Sequence, residues 1–102
     1  MDITVEKQGS VAIVRVPGGI DEKGAEAMKQ SFTSLSLAGI NEVHVDFKNL
    51  TYIGSSGIGK LLLFYKNLGV QQIRLRVINV PQAVYSILQE LKLDTVFTIE
   101  KL

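Results

Sequence analysis

The chain has 102 residues, 46% of them hydrophobic and 21% charged, with a formal net charge of +1 and no cysteine. That balance excludes intrinsic disorder and a highly charged tail, gives little electrostatic pull toward nucleic acid or an acidic membrane surface, and rules out disulfides and thiolate metal ligands. The expectation is one domain over residues 1–102 with a single hydrophobic core, working in the reducing cytoplasm.

The first residues, Met1-Asp2-Ile3-Thr4-Val5-Glu6-Lys7, carry acids early and lack an apolar run, so they do not read as a secretory signal. No later segment is long enough to cross a bilayer. Ile3 and Val5, then Val11, Ile13, Val14 and Val16, bracket Gln8-Gly9-Ser10, which predicts an antiparallel hairpin. Pro17-Gly18-Gly19 breaks the second strand. Asp21 then caps a helix in which Ala25, Met28, Phe32 and Leu35 recur at helical spacing, with Gly39 as its stop. Val43, Val45 and Phe47 alternate as a third strand. Ser55 or Ser56 opens a second helix whose Ile58, Leu61, Leu62, Tyr65 and Leu68 face inward until Gly69. Ile73, Leu75 and Val77 form another strand, and Pro81 starts a third helix carrying Val84, Ile87, Leu88 and Leu91. Val96 to Ile99 adds an edge strand. Strand–helix–strand crossovers require parallel pairing and the opening hairpin is antiparallel, so the fold class is α/β with a mixed sheet packed on helices.

The third strand breaks into a small-residue turn that opens the second helix. Such a turn aims backbone N–H groups and two hydroxyls at one point, where the positive end of the helix favours an anion, bound or attached. Gly54-Ser55-Ser56-Gly57-Ile58-Gly59-Lys60 has the glycine and lysine spacing of a phosphate-binding G-x-x-x-x-G-K loop. Leu61, however, stands where a nucleotide-hydrolysing loop needs Ser or Thr to hold magnesium. Ser-Ser-Gly-Ile-Gly also echoes a dinucleotide loop, but Ile53 replaces a required glycine and no ribose-binding acid falls in Val70 to Arg76.

Val45-Asp46-Phe47-Lys48-Asn49-Leu50-Thr51-Tyr52-Ile53, then Gly54-Ser55-Ser56-Gly57-Ile58-Gly59 and Leu61-Leu62, resemble the STAS domains, specifically the small stand-alone anti-sigma factor antagonists of bacteria. Gly18-Gly19-Ile20-Asp21 is similar to that family's first loop, so the resemblance spans nearly the whole chain. It implies phosphorylation at the second Ser of the pair, Ser56, with Ser55 the second candidate. It also implies a partner that is both anti-sigma factor and serine kinase: this partner binds the unmodified domain, releases its sigma factor, and loses its grip once the phosphate is added. A phosphatase that reverses the modification completes such a switch. Asp21, Gly54, Ser55, Ser56, Gly57, Ile58 and Lys60 are the partner-binding residues so implied. This chain departs from the family pattern at Gly54, where an Asp is usual. Some STAS domains work without phosphorylation, as scaffolds or as subunits on membrane transport complexes, and that is the alternative reading.

Each of these residues also has a purely structural reading. Ser55 and Ser56 are good helix caps, as is Asp21. Gly54 serves the turn by adopting a positive φ, and Gly57 and Gly59 let the helix approach the sheet closely. Lys60 is a solvated helix residue. Asp46 accepts hydrogen bonds from loop amides. His44, the one histidine, has no second metal ligand at a recognisable spacing and reads as a covered or edge side chain. Arg74 and Arg76 alternate with apolar residues, which suggests either an edge exposed to solvent or a small basic stripe, and they are read as a solvated face. No catalytic triad, nucleophile–base pair or carboxylate pair can be assembled from spacing, and no cofactor or metal is expected. The chain reads as a regulatory binding module and not as an enzyme, with its oligomeric state open.

Overall fold

Alternating apolar residues and a glycine at φ +61° make the first hairpin. β1 (Thr4–Gln8) turns at Gly9 and Ser10 into β2 (Val11–Arg15), and the two pair antiparallel. The computed structural model describes residues 1–102. After β2 the chain runs through β3 (Gly18–Ile20), α1 (Glu22–Ser34), β4 (Glu42–Asp46), β5 (Leu50–Ile53), α2 (Ser55–Val70), β6 (Arg74–Val80), α3 (Gln82–Glu90), a 3-10 turn at Leu93–Thr95 and β7 (Thr98–Lys101). Five strands form a mixed sheet in the order β1-β2-β4-β6-β7, in which only the β1–β2 pair is antiparallel. This is the mixed α/β architecture that the sequence predicts.

β3 and β5 form a second, two-stranded parallel sheet that the sequence reading does not contain. It extends the β2–β4 pair past an interruption at Val16–Pro17 and Phe47–Asn49. There Gly18 N–H donates to the Asn49 carbonyl at 2.9 Å, and Lys48 N–H donates to Asp46 Oδ1 at 2.9 Å. Asp46 thus holds the loop as its position suggests.

The large sheet is covered on one face. Ala12, Val14, Val43, Val45, Leu75 and Val77 are buried beneath the helices, while the alternate positions of the same strands carry Ile13, Glu42, His44, Arg74 and Arg76 on the outer face. On the helix side Met28 and Phe32 of α1 and Leu61, Phe64 and Leu68 of α2 complete the core. The Phe32 and Phe64 rings stack at 3.8 Å between centroids, 8° from parallel. Phe64 is a core residue that the sequence reading passes over.

Several boundaries differ from expectation. α1 ends at Ser34, well before Gly39, which instead takes φ +75° in the following turn. α3 is capped at Leu91, which is 54% exposed and adds nothing to the inner face. The last strand begins at Thr98, and Val96 lies outside it and is exposed. Arg74 and Arg76 belong to β6, an interior strand between β4 and β7, so they are solvated because no helix covers that face and not because the strand is an edge.

Candidate functional site

The small sheet determines where the site lies. Ile20 of β3 and Ile53 of β5 are register partners, each followed at once by a helix cap, Asp21 for α1 and Gly54 for α2. Gly54 N–H donates to the Ile20 carbonyl at 2.9 Å, which ties the two loops together. Two helices therefore begin side by side, and their positive ends share one end of the molecule.

The two mouths are closed differently. Asp21 Oδ1 accepts from Gly24 N–H at 2.8 Å, a side-chain cap for α1. α2 has none: its cap residue is Gly54, and the hydroxyls of Ser55 and Ser56 lie within the first helical turn instead of capping it. The expectation of a serine cap is thus corrected, and the mouth of α2 keeps unsatisfied N–H groups directed outward. Ser55 is exposed and Ser56 partly exposed.

Gly54 does not take the positive φ expected of it; its φ is −94° and its ψ 177°, open to any residue. A Cβ there would lie 2.9 Å from the Tyr52 hydroxyl, the far end of a half-exposed side chain that can swing aside, so neither backbone nor packing demands glycine here. Tyr52 itself is 54% exposed, with its hydroxyl beside Gly54, a feature hidden in the sequence because its neighbours there read as loop.

Gly57 is required by close approach. A Cβ on it would sit 2.6 Å from Ile20 Cγ2 and 3.0 Å from Ile53 Cγ1, so the first turn of α2 rests directly on the small sheet. Gly59 has nothing within 4 Å and is exposed, which corrects its assignment as a close-packing residue. Ile58 is partly buried against the core, and Lys60 stands one turn beyond Ser56 on the same side of α2. Asp21, Gly54, Ser55, Ser56 and Gly57 are thus gathered at one end of the fold, and Lys60 extends the set along the helix.

The molecule's ion pairs lie elsewhere, on the outer face of the large sheet. His44 Nε2 is 2.7 Å from Glu42 Oε1, Arg74 and Arg76 approach the same carboxylate at 3.1 and 3.2 Å, and Arg76 also pairs with Glu100. Hydrogen bonding to His44 first, and then to Arg76, holds the Glu42 carboxyl below the usual carboxylate range against its partial desolvation. This cluster knits β4, β6 and β7.

A family model described as the STAS domain matches residues 2–101. Among solved structures, an anti-sigma factor antagonist from Mycobacterium paratuberculosis superposes with a TM-score of 0.86 at 24% identity, covering 97% of this chain and 84% of that one. The Bacillus cell fate determinant SpoIIAA in its phosphorylated form gives 0.73 at 18% identity, covering 96% and 90%. A sulfate transporter family protein from Wolinella succinogenes gives 0.79 at 14% identity, covering 89% and 76%. At these identities the likeness to the solved structures establishes the fold.

Proposed function

The chain belongs to the STAS domain family, and from that membership we propose that it is a non-enzymatic regulatory module, an anti-sigma factor antagonist switched by phosphorylation of Ser56. Its partner is an anti-sigma factor that is also a serine kinase, and a phosphatase restores the unmodified form. The observation that carries this reading is the uncapped mouth of α2, where Ser56 stays accessible beside a second helix start.

The switch needs no change of fold. A phosphate on Ser56 brings about two negative charges, which the adjacent N–H groups and helix dipole accommodate within the molecule. At a docked interface that has closed around a neutral hydroxyl, the same group is repelled and must be desolvated. A cost of about 3 kcal/mol weakens binding by about a hundredfold. The module then lets go of its partner while staying folded.

Gly54 supports a second reading. With no acid before the serine pair, nothing at this position orients the Ser56 hydroxyl or meets a kinase through charge. An unphosphorylated adaptor, for example on a membrane transport complex, uses the same surface constitutively. Intact mass separates the two. After incubation with the cognate serine kinase and ATP, the wild type gains one phosphate and Ser56→Ala gains none; an unchanged wild-type mass selects the adaptor.

A further inference from the structure

α1 and α2 pack through the Phe32–Phe64 stack, and above it they leave an open groove of about 370 Å³. The floor is aromatic and aliphatic, and Leu63 on its flank is 47% exposed. Lys29 of α1 and Lys60 of α2 both line it, and no acidic residue does. All the ion pairs of the molecule involve arginine or histidine, so both lysines are without a carboxylate partner.

On α2 the groove begins at Lys60, one helical turn beyond Ser56. Ser56, Lys60, Leu63 and Asn67 follow one another at spacings of four, three and four residues, which places them on one stripe of α2. From Lys60 to Gln71 the α2 wall is about 17 Å long at 1.5 Å per residue, or three helical turns.

We propose that this groove receives an amphipathic helix from the partner protein, its apolar stripe seated over Phe32, Leu63 and Phe64 and its acidic flanks paired with Lys29 and Lys60. An exposed leucine over an aromatic floor, bounded by two unpaired cations and neutral Thr33 and Asn67, is complementary to that chemistry. A second copy of this chain offers no such helix. α3, its most amphipathic remaining helix, carries a single acid, Glu90, at its last residue. The inference rests on the reading above in taking the occupant to be a protein; it requires no phosphorylation.

The test uses the unmodified full chain and a capped fifteen-residue peptide with leucines at helical i, i+3, i+4 and i+7 spacing and glutamates on the flanks. In a 15N NMR titration, amide shifts are expected along Lys29, Phe32, Leu63, Phe64 and Asn67. Lys29→Glu combined with Lys60→Glu weakens binding about tenfold or more, and a peptide with lysine flanks restores it to that double variant. Leu63→Asn, a change at an exposed position, weakens binding with the fold intact. The titration uses the unmodified chain and no kinase, so failure of the phosphorylation switch leaves this result untouched. The proposal is overturned if millimolar peptide moves no resonance, if the shifts map elsewhere, or if glutamate- and lysine-flanked peptides bind the wild type equally. It is equally overturned if sedimentation shows self-association that covers these residues, or if vesicles of anionic phospholipid bind at the groove while the peptide does not.

Discussion

Ser56 and Gly57 are adjacent residues in different surroundings. The first is partly exposed, while the second must have no side chain, because Ile20 fills the volume a Cβ would occupy. Ile20 is wholly buried and cannot retreat without disturbing the small sheet. Gly57→Ala is therefore expected to destabilise the fold by about 1–3 kcal/mol through overpacking, read as a lower midpoint in urea unfolding. The cost is smaller when Gly57→Ala is introduced into an Ile20→Ala background, because the clashing Cγ2 is gone; equal costs in both backgrounds contradict the contact. In the sequence Gly54 stands out as a turn glycine, a role that the structure does not give it. A glycine after a strand suggests a positive φ, whereas the chain there is extended and the nearest neighbour is the movable Tyr52 hydroxyl, so neither strain nor packing requires glycine.

Elements with strong periodicity are the ones that sequence reading recovers. The hairpin, the three helices, β4 and β6 each present alternating or helical apolar patterns, and their existence follows directly. β3 and β5 have three and four residues and no clean alternation, and glycines and a preceding proline make β3 look like a break. Pairing with each other gives them strand geometry, and that information is tertiary. The arginines of β6 mislead for a related reason: charge at alternate positions signals an uncovered face, which an interior strand of a one-sided sheet also has. Glu42 links β4 to β6 through those arginines and to His44 beside it. Because its carboxyl is held below its ordinary value of 4.5 in the folded state, its stabilising contribution is complete above that pH and is lost as the pH falls through the lowered folded value. Glu42→Gln is expected to flatten the acid limb of stability measured by thermal unfolding between pH 5 and pH 2, at the approximate range set by carboxylate titration. An unaltered acid limb contradicts a structural role for the cluster.

At the scale of the molecule, the fold divides its labour between two ends and two faces. The outer sheet face is laced by ion pairs, the inner face is the core, and the small sheet brings two helix starts to one end where Ser56 is displayed. The groove lies between α1 and α2 and begins on α2 at Lys60, one helical turn beyond Ser56. The sequence located the helix mouth, since glycine and serine crowd there, but not the groove, which exists only because Phe32 and Phe64, far apart in the chain, stack. If charge on the Ser56 hydroxyl decides docking, calorimetric titration of the purified cognate anti-sigma kinase with wild type and with Ser56→Asp, alongside circular dichroism and thermal unfolding of both, finds a variant that keeps its fold while its affinity falls by about a hundredfold. Equal affinity of a folded Ser56→Asp variant contradicts the switch.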